Sequence, residues 1–474
     1  MDALRARLPA DWRVALEPEP VLGGEMLCVR AGPAAAPPLL LVHGLGQNGF
    51  TDWLPVMPAL ARDWRVLAVD LPGFGYSSAS SARLSPTQFA RVLERLLARE
   101  GRGPAAVAGH SMGGAVALRL AAEFPERVAM LLLVDVAGIL HRTAFTKHMA
   151  RLPLEGLPEP LRQPAERLRD LGQRLVERVF GLPLDAEGAL RDNEWLWPLV
   201  MRDRSSINAG LALVDEDFSA ALPAVRQPTQ IIWGEADPIA PLRTGELLAR
   251  RLPRAQLHVM RGIGHAPMHQ APQDFQALLL RVLREPPQPL LPASRRLPPA
   301  DGPLPDLRCI GEADRRFSGR YREVWIERCN ALRLTDVVAQ RIVLRDSSVE
   351  MTGVQVRADD GVALDAAGSE LLATACDFSG RIAVRSDGCR LDLAGVRLQA
   401  GGFALQALGA SRVVASVSEI SDAWYRGWWH EDRELQNEVL DPRAPLRPAS
   451  PATPATPAPA APAPAAAPSG SSRS

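Results

Sequence analysis

The stretch "VAGHSMGGAV", residues 107–116, decides the fold of the first half of the chain. An apolar run precedes it and an alanine-rich helical pattern follows it, so its serine, Ser111, stands where a strand turns into a helix. The centre of the stretch, "GHSMG", matches G-x-S-x-G, in which the glycines allow a tight turn that raises the serine hydroxyl above the sheet edge. A serine that only caps a helix needs no glycine on either side. The pattern therefore predicts a nucleophilic serine.

Short apolar runs alternate with helical patterns over residues 1–284. The runs are "LLLVHG", "RVLAVDLPG", "AAVAGHS", "MLLLVD", "TQIIWGEAD" and "QLHVMRGIGH". Uninterrupted apolar strands are typical of a parallel sheet covered on both faces, and residues 88–100 have the apolar spacing of an amphipathic covering helix. A stretch with a helical pattern at about 140–222 interrupts the alternation. The sequence therefore predicts an α/β fold with a mostly parallel sheet and an inserted helical cap.

Proline marks the ends of this first unit and of the next. Residues 285–306, "EPPQPLLPASRRLPPADGPLPD", are too rich in proline for a helix or a central strand, which predicts an interdomain linker. Residues 441–474 end in "PATPATPAPAAPAPAAAPSGSSRS", a stretch without large apolar side chains to bury, which predicts a disordered tail.

Residues 307–440 show a repeat. Segments that begin at Arg341, Gly361 and Arg381 align their apolar residues in columns, such as Ile342 with Val362 and Ile382. Columns that recur every ~20 residues predict a β-solenoid, in which each coil buries its apolar positions only against its neighbours. The stack loosely resembles right-handed parallel β-helices and bactofilin-like domains. The following "AWYRGWWHEDRELQNEVL" is predicted to be a helix that closes the open end.

Composition excludes several classes of function. The 474 residues are 47% hydrophobic and 23% charged, with a net charge of zero, so no nucleic-acid partner is expected. No apolar run approaches the ~18 residues of a membrane span, and the opening residues lack the apolar centre of a secretory signal. We expect a cytoplasmic protein without an integral membrane segment. The five cysteines lack metal-site spacing, so we expect buried free thiols, no metal and no cofactor.

A nucleophilic serine needs a base, a group that orients the base, and donors for the oxyanion. Asp237 follows a late apolar strand in "IIWGEADPIAP", and His265 follows the next one in "VMRGIGHAPMHQAP". The chain order Ser, Asp, His is the one that G-x-S-x-G requires, and parallel strands bring these loops to one edge. Two alternatives stay open: Asp237 serves only a turn before Pro238, or Asp135, after "LLLV", is the acid.

These motifs together resemble the α/β-hydrolase family over residues ~20–285. The similarity lies in "LLLVHGLG", "DLPGFGYS", "GHSMGG", "WGEADPIAP" and "GIGHAP", in this order. The resemblance implies that Ser111 is the nucleophile, that His265 is the general base and then the acid, and that Asp237 fixes the imidazole tautomer. It also implies that the backbone N–H groups of Leu45 and Met112 form the oxyanion hole.

The expected substrate is a carboxylic ester. Trp53 in the oxyanion loop and Trp195 and Trp197 in the cap predict a largely apolar pocket for an acyl or aromatic group. His43 and His110 are interpreted as structural hydrogen-bonding residues. Two other functions stay open. One is a scaffold that binds a protein or another copy through the solenoid, and the other is a carbon–carbon bond hydrolase or acyltransferase with the same three residues.

Overall fold

A computed structural model of the protein describes residues 1–46, 48–144, 204–299 and 302–444. The N-terminal region, residues 1–284, is built on an eight-stranded sheet with the order β1-β2-β4-β3-β5-β6-β7-β8. Its strands are β1 Arg13–Pro18, β2 Glu25–Ala31, β3 Pro38–Val42, β4 Arg65–Val69, β5 Ala105–His110, β6 Val128–Val134, β7 Thr229–Gly234 and β8 Ala255–Met260. Strands β1 and β2 pair antiparallel, and the pairs from β3 to β8 are parallel, so the mostly parallel sheet is confirmed.

Both faces of this sheet are covered, as the apolar strands predict. In β3, Leu40 and Val42 belong to one apolar cluster and Leu39 and Leu41 to another, because successive side chains point to opposite faces. The described helices are α1 Asp2–Arg5, α2 Met57–Leu60, α3 Pro86–Glu100, α4 Met112–Glu123, α5 Ser205–Val214, α6 Leu242–Arg251, α7 Pro267–Gln270, α8 Pro272–Val282 and α9 Ala293–Arg296. In the described ranges these helices are too short or too polar to cross a bilayer. Most of the predicted cap, residues 145–203, lies outside the described residues, as do residues 445–474 of the predicted tail.

The C-terminal region, residues 307–440, forms a 14-stranded sheet. Its strands are β9 Leu307–Ile310, β10 Arg316–Glu327, β11 Leu332–Arg345, β12 Ser348–Thr352, β13 Gln355–Arg357, β14 Val362–Ala367, β15 Glu370–Thr374, β16 Asp377–Asp387, β17 Arg390–Ala394, β18 Arg397–Ala407, β19 Ala410–Ser416, β20 Ser418–Ser421, β21 Arg426–Trp429 and β22 Asp432–Gln436. Most pairs are parallel and join residues 20 to 22 positions apart, as in Val362 with Ile382 and Ile342 with Leu364. This spacing is what stacked coils need, but the solenoid itself stays a prediction.

The observed register corrects the predicted columns at their first segment, which is shifted by two residues throughout, and bears out the alignment of the second segment with the third. Val362 does pair with Ile382, but Ile342 pairs with Leu364 rather than with Val362. The shift arises in the turn after β13, where the exposed Asp359 and Asp360 lengthen one coil by two residues. All five cysteines are free and buried, as predicted.

The predicted closing helix is wrong, and the predicted linker contains a helical turn that its proline content did not suggest. The segment predicted as a closing helix contains β21 and β22, which pair antiparallel with β20 and β19. Alternate burial along β22 has the period of a strand, and pairing satisfies the backbone at the sheet edge. The predicted linker contains one helical turn, α9, which begins directly after Pro292. Proline is tolerated at a helix start because the first N–H groups have no partner inside the helix.

Candidate active site

The turn at Ser111 is strained and tightly packed. Ser111 lies between β5 and α4 with φ 53° and ψ −118°, a conformation that is uncommon for a residue with a side chain. A Cβ atom on Gly109 would lie 2.2 Å from the carbonyl oxygen of Gly113, and one on Gly113 would lie 2.4 Å from that of Val42. Both glycines are therefore required by backbone contacts, because no side chain fits in either gap.

Ser111, His265 and Asp237 meet at the carboxyl end of the sheet. The Ser111 hydroxyl lies 2.9 Å from Nε2 of His265, and Nδ1 of His265 lies 2.8 Å from Oδ2 of Asp237. The other oxygen of Asp237 accepts the N–H groups of Ile239 and Ala240 at 2.7 and 3.0 Å. Because a carboxylate only accepts, Nδ1 of His265 carries the proton and Nε2 is free to accept from the serine.

Asp135, the alternative acid, does not contact the imidazole in this way. It is fully buried, and its Oδ1 accepts the N–H of Gly234 at 2.8 Å. The carboxylate within hydrogen-bonding distance of His265 is that of Asp237. The geometry therefore favours Asp237 as the orienting group.

A second histidine holds the loop that carries His265. Nε2 of His110 donates to the backbone carbonyl of His265 at 2.7 Å. Burial and the neighbouring charge of His265 lower the pKa of His110 to about 4, so this ring is neutral at neutral pH. Its Nδ1 is buried and lies 4.0 Å from a carboxylate oxygen of Asp52. His110 is thus a structural hydrogen-bonding residue between the serine turn and the histidine loop.

Two backbone N–H groups, those of Leu45 and Met112, are predicted to form the oxyanion hole. Met112 begins α4, where the first N–H groups have no partner inside the helix. Neither Met112 N–H nor Leu45 N–H has a protein acceptor among the described residues. Gly44 places the Leu45 peptide close to the serine, since a Cβ on Gly44 would lie 3.1 Å from Cβ of Ser111. Nδ1 of His43 donates to the Gly44 carbonyl at 2.7 Å and stiffens this loop.

The aromatic residues predicted to contact substrate include one in the described part of the chain. Trp53 is fully buried, its indole N–H donates to the carbonyl of Val42 at 3.1 Å, and its ring packs near Phe275. Trp53 therefore packs in the core, and its contact with substrate stays a prediction. Trp195 and Trp197 lie outside the described residues.

Asp70 is a site residue that sequence reasoning missed. Its two carboxylate oxygens accept the N–H groups of Phe50 and Tyr76 at 2.6 and 2.8 Å, which ties the oxyanion loop to the loop after β4. Burial raises the pKa of Asp70. The residues in the sequence that could have pointed to Asp70 are two glycines. Gly49 and Gly75 both have positive φ, and a Cβ atom on either would lie 2.1 Å from this carboxylate.

Comparisons with known proteins agree with this geometry. The sequence model described as "alpha/beta hydrolase fold" matches residues 37–272, which include all three residues of the hydrogen-bonded set. The pimeloyl-[acyl-carrier protein] methyl ester esterase of Yersinia pseudotuberculosis serotype O:1b (strain IP 31758) is 33% identical over 254 residues, which are 52% of this chain and 93% of that protein. The chain belongs to the α/β-hydrolase fold family.

Two further comparisons cover a similar share of the chain. An uncharacterized protein of Mycobacterium tuberculosis (strain ATCC 25618 / H37Rv) is 30% identical over 275 residues, which are 52% of this chain and 76% of that protein. The solved structure of a thermophilic esterase from Thermogutta terrifontis is 24% identical, with a TM-score of 0.43, and covers 57% of this chain and 98% of that one.

In this α/β-hydrolase the loop after Asp237 leads directly into α6, which rests on the C-terminal region. Arg243 at the start of α6 makes two hydrogen bonds to the carboxylate of Asp392, at 3.0 and 3.1 Å. At the other end, Arg251 donates to the carbonyls of Gly395 and Cys376 and to the carboxylate of Asp377. The helix that follows the acid is therefore held at both ends by the C-terminal region.

Metal-assisted chemistry has no obvious site in the described part of the chain. No group of three or more histidine, cysteine, aspartate or glutamate side chains is placed there to hold a metal ion. The groups that the described residues bring together at the site are the serine hydroxyl, the imidazole, the carboxylate and the backbone N–H groups.

Proposed function

We propose that this protein hydrolyses carboxylic esters through an acyl-enzyme formed on Ser111. The observation that carries the proposal is the pair of hydrogen bonds that link Ser111 Oγ to His265 Nε2 at 2.9 Å and His265 Nδ1 to Asp237 Oδ2 at 2.8 Å. A hydroxyl in this environment can lose its proton to the imidazole as it attacks, and a buried carboxylate stabilises the imidazolium that forms.

The proposed reaction has two halves. The Ser111 oxygen attacks the ester carbonyl, His265 takes the hydroxyl proton, and the N–H groups of Leu45 and Met112 bind the oxyanion. His265 then gives its proton to the leaving alcohol, and the acyl group stays on the serine. In the second half, water attacks the acyl-enzyme with His265 as the base, and the carboxylic acid leaves while the proton returns to Ser111.

For the substrate we propose an ester with an apolar acyl or aromatic group. The support is indirect: the Yersinia relative is named as an esterase of a methyl ester of a carrier-bound pimeloyl chain. In p-nitrophenyl acetate, butyrate, octanoate and benzoate, the alcohol that leaves is the same and only the acyl group differs. We expect kcat/KM to rise from acetate to the larger acyl groups. A preference for acetate would contradict the apolar pocket.

The serine is tested by a fluorophosphonate probe and by turnover. We expect the probe to label the wild type, and Ser111→Ala to abolish labelling and lower kcat by about 10⁴-fold or more. Ser81→Ala, at an exposed serine, is the matched control and should behave as wild type. A wild type that resists the probe, or a Ser111→Ala variant that is labelled equally, would contradict the proposal.

The expectations about partners and location stay predictions. They are a cytoplasmic location, no nucleic-acid partner, and self-association or protein binding through the C-terminal region. Light scattering of the full chain over a wide range of concentrations tests self-association, and a monomer throughout would count against it.

A further inference from the structure

We infer that Asp135 is held as a neutral carboxylic acid that donates a hydrogen bond to Asp237 and so positions the acid of the proposed catalytic set. The inference rests on the proposed function, because it assigns a positioning residue to the same site. It also gives a role to a buried acidic side chain that the reaction above does not use.

The position of Asp135 in the fold limits what its carboxyl can contact. It directly follows β6, has a positive φ of 45°, and its own N–H donates to the carbonyl of Ile232 at 3.1 Å. Its side chain is fully buried, and Oδ1 accepts the N–H of Gly234 at 2.8 Å. Oδ2 is also buried, and among the described residues it has no donor. A carboxylate oxygen without a donor in such a place is costly.

The group that faces Asp135 is another acceptor. The carboxyl groups of Asp135 and Asp237 are within hydrogen-bonding reach of each other, and the Asp237 amide donates to the carbonyl of Gly234, whose N–H binds Asp135. Two ionised carboxylates in contact inside a protein repel each other strongly, so such a pair holds one proton between them. With the proton on Oδ2 of Asp135, the missing donor and the repulsion are both resolved.

The number of donors around each carboxyl decides which one keeps the proton. Asp237 receives three hydrogen bonds, from Nδ1 of His265 and from the N–H groups of Ile239 and Ala240. Asp135 receives one, from Gly234. Donors stabilise the ionised form, so Asp237 is the carboxylate and Asp135 the acid. Burial, with the charge of Asp237 as the next cause, raises the pKa of Asp135 well above its usual range.

A neutral Asp135 has two consequences for the site. Its O–H adds a fourth donor to Asp237 and fixes the carboxylate plane that orients His265. It also leaves a single negative charge next to the imidazole, as the reaction requires. Asp135 touches neither the reacting serine nor the imidazole in these contacts, so it acts through Asp237.

Matched substitutions of the two acids test the inference. Asp135→Asn keeps an acceptor for Gly234 and a donor for Asp237, so we expect kcat/KM for p-nitrophenyl butyrate to stay within about threefold of wild type. Asp237→Asn breaks the tautomer and should lower kcat by about 10⁴-fold. Asp135→Leu removes the donor and should lower kcat by about 10- to 100-fold with little change in KM.

The pH profile separates positioning from general loss of structure. We expect the acid limb of kcat/KM to be unchanged in Asp135→Asn and to move to higher pH in Asp135→Leu, because Asp237 without its fourth donor holds the imidazolium more tightly. Rescue by asparagine but not by leucine would support the inference. It would be overturned if Asp135→Asn lost as much activity as Asp237→Asn, or if leucine and asparagine behaved alike.

Infrared spectroscopy gives a readout that does not depend on turnover. At pH 7 we expect the wild type to show the carbonyl stretch of a protonated carboxylic acid that is missing in Asp135→Asn and retained in Ser111→Ala. Identical spectra for the wild type and Asp135→Asn would overturn the inference even if Asp135→Leu did not fold. A wild type without esterase activity but with this band would refute the proposed function and leave the neutral acid supported.

Discussion

The two regions of this protein build parallel sheets in different ways. In the N-terminal region the strands that carry the site are buried along their whole length: all six residues of β5 and all six of β7 are buried, because helices cover both faces. In β12 of the C-terminal region burial alternates instead, so one face is packed inside and the other carries the charged side chain of Glu350. The difference shows where each region can hold reactive groups.

The two regions also place their polar side chains differently. In the N-terminal region Asp237, Asp135 and His110 are buried at strand ends, where few partners surround them and each contact matters. In the C-terminal region the outward charges face each other between neighbouring strands, as in Arg333 with Glu350 and Arg390 with Glu370. Buried polar groups at strand ends can take part in a reaction, whereas exposed charge pairs between neighbouring strands help to fix which residues pair.

The largest expected effect is a loss of stability on substitution of a glycine in the N-terminal region. Gly113→Ala would place a Cβ 2.4 Å from the carbonyl oxygen of Val42, and backbone cannot move away cheaply there. We expect a loss of more than about 4 kcal/mol in the free energy of unfolding, measured by urea denaturation. Gly388→Ala in the C-terminal region is the matched control. It has φ 61° and nothing within 4 Å of the added Cβ, so it should cost only about 1 kcal/mol. Equal losses would contradict the contrast between the regions.

The next effect concerns the contact between the regions. Arg251 is 11% exposed and donates to Asp377 and to the carbonyls of Gly395 and Cys376. Arg251→Met would leave these acceptors without their donor, and we expect a loss of about 3 kcal/mol in the free energy of unfolding. Arg243→Met, at the end of α6 nearer the acid, should in addition lower kcat. Unchanged stability in Arg251→Met would show that these contacts between the regions do not contribute to the free energy of unfolding.

Features of the fold and the site could be predicted from the sequence where they depend on the order of the strands, and not where they depend on contacts between residues far apart in the chain. Ser111, Asp237 and His265 could be predicted because each follows an apolar strand, and parallel strands bring their ends together. Trp53 could not be placed, because whether an aromatic ring faces a pocket or the core is set by distant partners such as Phe275.

The same limit explains the errors in the C-terminal region. The charges and tryptophans of β21 and β22 look helical on their own, but strands β20 and β19 offer backbone partners that a helix would leave unsatisfied. The register of Ile342 was missed for a related reason: two additional residues in an exposed turn leave no trace in the apolar pattern. The division into two domains stays a prediction, since residues 1–442 form one compact unit.

A pH-dependent effect of intermediate size is expected where the regions meet. The rings of His141 and His430 are in contact, and the backbone N–H of His141 donates to Oγ of Ser416. Burial, with the charge of His430 as the next cause, lowers the pKa of His141 to about 4 against the opposing charge of Asp432. The unfolded chain therefore binds more protons between about pH 6.5 and 4, and stability present above this range is lost as the pH falls through it.

We expect His141 to contribute up to about 2 kcal/mol to the loss of stability between pH 7 and pH 5. His141→Gln should lose correspondingly less over this interval in thermal or urea unfolding. If His141→Gln and the wild type lost stability in parallel, this histidine would not be held neutral by its surroundings.

The smallest expected effect tests the outward charges of the C-terminal region. Arg390 and Glu370 lie 2.9 Å apart, but their side chains are 74% and 41% exposed, so water and salt screen the attraction and ordering two long side chains costs entropy. We expect Arg390→Met to change the free energy of unfolding by no more than about 0.5 kcal/mol. A double-mutant cycle with Glu370→Gln, run in urea at low and high salt, isolates the pair. A coupling above about 2 kcal/mol would mean that these charges stabilise the sheet as strongly as the buried contacts of the N-terminal region, and the distinction between the two regions would fail at its weakest point.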